Sequence, residues 1–330
     1  MNMRKLFVLA GFLLSALGAS AQISNFDSLN GYTAGMENRL TLIRDRGLSP
    51  LASVSESEAS FRFSYVDQKI DPVSERIRRD MNSSQYQAGY QWSAGTWALG
   101  LNVNYDRTTT DYMELESPSP TPTSGRIKGD GYQLGVHAQG ALDAFHFGVE
   151  VGFGKSDYDA TRRSDAGSST ADYDSDGSFA TLRLEYHILF DNGWSLVPFG
   201  SVTTARIKSD GFAEQGTAPD RRIIQDFSIR EHFGIFGLSF VANQGTVRPS
   251  FSLAWIERFS SSDFEIASTA SDGSNLASGI VLFPYSGILA ARAAVDFQLA
   301  EDWLLSPEFR YLSGGDETSW RAGFGLSYRF

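Results

Sequence analysis

From Ala59 to Phe330 the apolar residues recur with a period of two, and the polar residues fill the alternate positions. One parity reads Phe61, Phe63 and Tyr65; Tyr86, Ala88, Tyr90 and Trp92; Trp97, Leu99, Leu101, Val103 and Tyr105; and Tyr132, Leu134, Val136 and Ala138. It continues with Phe145 to Phe153, Leu182 to Ile188, Trp194 to Val202, Val247 to Trp255, Leu289 to Phe297, Trp303 to Tyr311 and Thr318 to Phe330. A segment around Phe233 to Phe240 has ambiguous parity. A period of two places successive side chains on opposite faces of a strand, and the segments add up to about twelve strands.

The other parity decides between architectures. It carries Arg62, Gln87, Gln91, Asn102, Asn104, Gln133, His137, His146, Glu150, Arg183, Glu185, His187, Arg248, Arg292, Asp296, Glu308, Arg310, Arg321 and Arg329. Such residues cannot form the dry core of two stacked sheets. Lipid on the aromatic face and a hydrated, ion-paired lumen on the other satisfy both parities. The fold class predicted is an all-β transmembrane antiparallel barrel of about twelve strands. Arg183, Glu185, His187, His137, His146, Glu150, Arg292, Asp296, Glu308, Arg310 and Arg321 are its expected lumen network.

Connection lengths alternate. Gln68 to Ser83, Arg107 to Gly129, Ser156 to Gly177, Ile207 to Gln225 and Ser260 to Tyr285 read as long polar loops. Ser93-Ala94-Gly95, Leu142-Asp143, Asp191-Asn192-Gly193, Asn243-Gln244-Gly245 and Ala300-Glu301-Asp302 read as tight turns. Long loops outside and tight turns on the periplasmic side are the pattern of outer-membrane barrels. Trp97, Trp194 and Trp303 each open a strand just after a short turn, which predicts a periplasmic aromatic girdle. Pro198 and Pro307 sit inside these strands, where each removes a ladder hydrogen bond.

Ahead of the barrel, Arg4 and Lys5, the apolar run Leu6 to Leu17 and Ala19-Ser20-Ala21 read as a signal peptide, residues 1–21. Residues 22–58 follow as a helix and linker, and 59–330 as the barrel. In Asn25 to Arg46, Leu29, Tyr32, Met36, Leu40 and Ile43 recur at spacings of three and four, with Gly47 and Pro50 as stop signals. The stripe is narrow and Gly31 and Gly35 weaken it, so the helix needs walls to pack against and is expected in the lumen.

Composition narrows the partners. A net charge of −11 argues against nucleic acid. The absence of cysteine leaves no disulfide, lipoprotein anchor or thiolate metal site. His137, His146 and His187 with Glu150 and Glu185 form a group with the chemistry of a metal site or general base, though a barrel wall needs such hydrogen-bonding side chains in any case. Asp172-Tyr173-Asp174-Ser175-Asp176-Gly177 matches the opening of a calcium loop, but Arg183 stands where the bidentate Glu belongs. No Gly-x-Ser-x-Gly occurs, and His232 near Ser228 makes no triad, so neither an enzyme nor a cofactor is predicted. Ser117 to Pro122 reads as extended loop.

The residues Gly193 to Phe199 leading to Asp210-Gly211-Phe212-Ala213-Glu214-Gln215-Gly216, then Arg248 to Trp255 with Glu257 and Phe259, then Trp303 to Tyr311 and the terminal Gly-x-x-Tyr-Arg-Phe, resemble the β-domain of bacterial autotransporters, the type V secretion translocators. The resemblance runs over residues 83 to 330. It implies a barrel with a helix threading the lumen, and a last strand, Phe324, Leu326, Tyr328 and Phe330, read by the outer-membrane assembly machinery. Residues 22–58 leave no room for a sizeable passenger, so a resident role is expected: a monomeric barrel among outer-membrane lipids that exposes long loops. A diffusion channel and a surface adhesin acting through those loops are the alternatives.

Overall fold

The computed structural model describes residues 27–70, 77–114, 123–164, 167–218, 221–259, 264–270, 275–281, 287–315 and 317–330. The expected signal peptide, residues 1–21, and the Ser117 to Pro122 segment lie outside them. After helix α1, Asp27–Arg46, twelve long strands follow. They are β1 Glu58–Ile70, β2 Ile77–Ala94, β3 Trp97–Glu114, β4 Ser124–Leu142, β5 Phe145–Ser164, β6 Gly167–Tyr186, β7 Trp194–Ser209, β8 Phe227–Ala242, β9 Val247–Arg258, β10 Ile288–Gln298, β11 Trp303–Gly314 and β12 Glu317–Arg329. Each pairs antiparallel with its neighbours in sequence, and β12 pairs with β1 over the full length of both, which closes the barrel. Among the described residues, no helix is long and apolar enough to cross a membrane.

The end holding the short turns and Phe330 is the turn end; the opposite one is the loop end. Gly193 and Gly245 hold the turns ahead of β7 and β9 with φ of 80° and 90°, a conformation that costs other residues steric strain. The prolines fall where ladders break. The β6–β7 ladder stops at Glu185↔Phe199, next to Pro198, and the β10–β11 ladder skips from Ala294↔Glu308 to Phe297↔Leu305, across Pro307. The missing N–H groups are therefore spent at gaps.

The outward apolar row from Trp97 to Tyr105 rises roughly 20 Å at ~3.4 Å per residue and ~40° tilt, close to the ~25 Å apolar band of such barrels. Strands β2 to β6 are 18 to 20 residues long, whereas β9 to β12 have 11 to 13. The loop-end rim is thus slanted, with β2 to β6 standing well above the band.

In that extension the polarity inverts. Arg107, Asp111, Arg126, Asp130, Asp157 and Asp172 point outward, while Tyr112, Ile127, Tyr158, Ala160, Ala171 and Tyr173 are buried inward. Outside the membrane the strands face water, so the apolar side turns in. This corrects the loop assignments. Much of Arg107 to Gly129 and nearly all of Ser156 to Gly177 are strand, joined at the β5–β6 tip beyond Ser164. Ile207 to Gln225 contains short strands at Phe212–Ala213, Gln215–Gly216 and Arg222–Ile224. Phe264–Ala270 and Asn275–Val281 join Arg222–Ile224 and Phe212–Ala213 in a second, four-stranded sheet at the loop end. The parity of β8 also resolves. Phe236, Leu238 and Phe240 face outward, and Phe227, Ile229, Phe233 and Ile235 are buried inward.

Candidate functional site in the lumen

From Tyr32 to Asp45 helix α1 carries buried residues on every face, with Leu42 half-buried beside the lumen cavity. Tyr32, Met36, Leu40 and Ile43 pack in one cluster with Ile127, Tyr158, Tyr173, Phe179, Ile207 and Ile229 of the wall. Thr33, Glu37, Asn38, Arg39, Thr41, Arg44 and Asp45, on its other faces, are equally buried. Gly35 is there for contact: a Cβ at this position would lie 2.7 Å from the Tyr158 ring. A stripe too narrow for a surface helix is thus explained by a helix walled on all sides.

The wall also caps the helix. The last carbonyls of an α-helix have no partner within it. Here Arg310 Nη1 donates to the Asp45 carbonyl at 3.1 Å, and Arg183 Nη1 and Ser201 Oγ donate to the Gly47 carbonyl at 2.5 and 3.0 Å. Charged side chains fix the rotation. Arg44 donates to both oxygens of Glu317 at 2.9 and 3.1 Å, and Arg79 pairs with Glu37. Arg46 pairs with Glu150 and reaches Gln133 Oε1 at 2.6 Å, with its guanidinium 4.7 Å from the Phe179 ring centroid. Asp45 receives Arg321 at 3.0 Å.

A lid lies over the loop end of the helix. Glu214, buried between the short strands, accepts from Arg162 Nε and Nη2 at 2.9 and 2.8 Å, from the Arg222 backbone N–H at 2.9 Å and from the Tyr32 hydroxyl. Phe212 stacks on Tyr173 at 4.5 Å and meets Tyr32 edge-on at 5.2 Å. One carboxylate therefore ties strand β5, the lid and the helix together. Sequence reasoning met Phe212 and Glu214 in a motif and Tyr32 in the helix stripe but did not single out Arg162, because Tyr32, Arg162 and Glu214 converge through tertiary structure alone.

Below the helix, toward the turn end, the lumen is polar. Glu308 accepts from Arg292 Nε at 2.7 Å and Arg310 Nη2 at 2.9 Å, and Ser306 donates to Asp296 at 2.6 Å. Arg183 pairs with Glu185 at 2.6 Å, and Glu185 also accepts the Leu51 N–H at 3.0 Å. A cavity of about 350 Å³ opens between these residues and the end of the helix. The histidines separate. His146 stacks on His187, with ring centroids 4.1 Å apart and His187 Nε2 3.2 Å from Glu185, whereas His137 stands opposite Glu150 in the β4–β5 register. Among the described residues no three His, Asp or Glu groups converge to hold a metal. The calcium-loop reading is corrected too. Asp172, Asp174 and Asp176 lie along one face of strand β6, about 7 Å apart in sequence steps of two, so they cannot curl around one ion.

At the turn end Trp97 and Trp303 are exposed outward, and Trp194 is half-buried in a stack with Phe240 at 4.5 Å. Phe324, Leu326, Tyr328 and Phe330 share the outward face of β12. Tyr328 lies 5.1 Å from Trp303, and Phe330 lies 5.9 Å from both Tyr90 and Tyr328.

The translocator domain of the autotransporter NalP from Neisseria meningitidis superposes with a TM-score of 0.70 at 13% identity, covering 93% of this chain and 99% of that one. The transport unit of AIDA-I from Escherichia coli gives 0.59 at 14%, covering 91% and 98%. The β-domain of the Bordetella autotransporter BrkA gives 0.57 at 19%, covering 84% and 100%. No curated protein matches the chain. The sequence profile of the autotransporter beta-domain matches residues 59–308, most of the barrel; the chain belongs to the autotransporter beta-domain family.

Proposed function

We propose that this chain, by its family an outer-membrane barrel of a Gram-negative bacterium, is a translocator-type barrel held closed by its own helix α1, with the turn end in the periplasm and the slanted rim and second sheet outside. The observation that carries this reading is the seating of α1, whose C-terminal carbonyls are capped by the wall and whose Arg44 meets Glu317 in a two-point ion pair. A pore crossed by a segment buried on all faces has no continuous water path along that segment. Residues 1–21 act as the export signal, Trp97, Trp194 and Trp303 as the periplasmic girdle, and Phe324, Leu326, Tyr328 and Phe330 as the strand read by the assembly machinery. The barrel functions as a monomer.

Single-channel recording tests the closed state. The refolded intact chain is expected to be silent, and a variant lacking residues 22 to 47 to conduct steadily. Steady conductance of the intact chain overturns the proposal.

A further inference from the structure

The polar cavity below α1 is hollowed out by small residues. Gly323, Gly325 and Ser327 of β12, Ser250 and Ser252 of β9, and Ser306 of β11 stand where larger side chains would fill the space. Gly325 leaves room for Arg62, whose Cγ would sit 3.4 Å from a Cβ there. At about 350 Å³ the cavity falls at the lower end of the ~300–1,000 Å³ range of small-molecule sites.

Its chemistry is one-sided. Eight arginines and six carboxylates line it. Arginine stays protonated in proteins, so the wall carries surplus positive charge. Four of the six carboxylates are held by arginines: Asp45 by Arg321, Glu308 by Arg292 and Arg310, Glu185 by Arg183 and Glu58 by Arg329. Arg62 and Arg248 have no ion-pair partner among the described residues. Arg248 stands opposite Asp296 in register, yet that carboxylate accepts from Ser306.

The unmet hydrogen-bonding capacity has the same sign. The buried side-chain atoms of the lining without a hydrogen-bond partner belong to Gln85, Gln133, Arg248, Arg310, Arg321 and Arg329, and each of them is an N–H donor, with Arg321 and Arg329 already in ion pairs with Asp45 and with Glu56 and Glu58. Two of these residues, Gln133 and Arg310, are more than nine-tenths buried, at 7% and 1% exposure. Buried donors without acceptors are costly, and guanidinium groups match the paired oxygens of carboxylates and phosphates.

We propose that this cavity is a binding site for a small multivalent oxyanion, held by Arg62 and Arg248 with the unsatisfied donors around them. A ligand rich in acceptors and negative charge meets both deficits at once; a neutral or cationic ligand meets neither. Arg310, Arg321 and Gln133 also hold α1, but Arg62 and Arg248 do not touch it in any described hydrogen bond or ion pair, so these two can be varied apart from the closure of the pore.

The test is thermal unfolding of the intact barrel in neutral detergent, titrated with citrate or inorganic phosphate at constant ionic strength. A saturable rise in the midpoint is expected, with an apparent Kd at least tenfold weaker in the R62Q/R248Q double variant. R126Q, which removes a charge from the outer face of β4, is expected to bind as the wild type does. The better of the two probes identifies the ligand as carboxylate or phosphoryl. Heat-modifiable gel migration reports folding; should the double variant misfold, R248K, which keeps the charge but loses the planar fork, is expected to weaken binding severalfold. Failure of both probes to saturate, an unchanged Kd in the folded double variant, or equal weakening by R126Q overturns the proposal.

Discussion

Arg44 and Glu317 meet as a fully enclosed two-point ion pair, with side-chain exposures of 1% and 0%, and they join residues far apart in sequence at the end of the helix and the start of the last strand. Since β12 is also the strand that closes the barrel on β1, this pair couples seating of the helix to closure. Removing one partner of a buried pair costs about 3–5 kcal/mol, and the contact that Arg44 keeps to Asp45 at 3.2 Å holds the loss to the lower end. Glu317→Gln is therefore expected to weaken the seated state by about 3 kcal/mol and to produce opening events in single-channel records where the wild type is silent.

Glu214 gathers four donors, and replacing its charge alters all of them. Glu214→Gln keeps the shape but offers one acceptor oxygen in place of two to the Arg162 fork. The lid is expected to detach. Limited proteolysis of the folded barrel then cuts between residues 210 and 224 at least tenfold faster than in the wild type, while the barrel itself stays intact on a heat-modifiability gel.

Gly35 sets two magnitudes against each other. In an exposed helix Gly→Ala stabilises by about 1 kcal/mol. Here the added Cβ comes within 2.7 and 2.9 Å of Tyr158 ring carbons, in a ring clamped by stacking on Tyr173 at 4.9 Å. Overpacking of this kind costs about 1–3 kcal/mol. Gly35→Ala is expected to destabilise the seated helix, seen as a lower thermal midpoint, whereas the same change in the isolated peptide raises helicity.

The membrane-facing half of the fold was legible because lipid imposes a strict rule. From Trp97 to Tyr105 every second residue must be apolar, and the opposite row, with Asn102 and Asn104, must not be. Reading failed where the solvent changes. Tyr158 and Tyr173 keep the period of two but reverse its sense, so strands β5 and β6 looked like loop once the outward aromatic row ended. Ile235 on β8 packs inward with Leu48 and Ile256 while Phe236 beside it faces lipid, which leaves both parities apolar and the strand ambiguous. The luminal charges were visible by parity, yet their partners were not. Arg44 with Glu317, and Arg162 with Glu214, depend on where the helix and lid dock, and spacing along one chain carries no trace of that. Asn38, buried at 1% exposure with no hydrogen bond to its side-chain amide, is explained by neither route.

Phe330 separates folding from recognition. Its ring is 59% exposed, and its backbone N–H donates to the Ser57 carbonyl at 3.1 Å, a bond any residue supplies. Exchanging such a ring for a polar group changes folded stability by only about 0.5–1 kcal/mol, chiefly through its tilted contact with Tyr90 and its stacking on Tyr328. A loss of that size shifts a folded population little. If the terminal aromatic is read during insertion, however, Phe330→Ser removes the signal itself, and the outer-membrane level is expected to fall tenfold or more while the same variant refolds into detergent with a near wild-type midpoint. Quantitative blotting of outer-membrane fractions, set beside the refolding yield in vitro, distinguishes the two. A variant inserted at normal levels would show that this ring contributes packing alone.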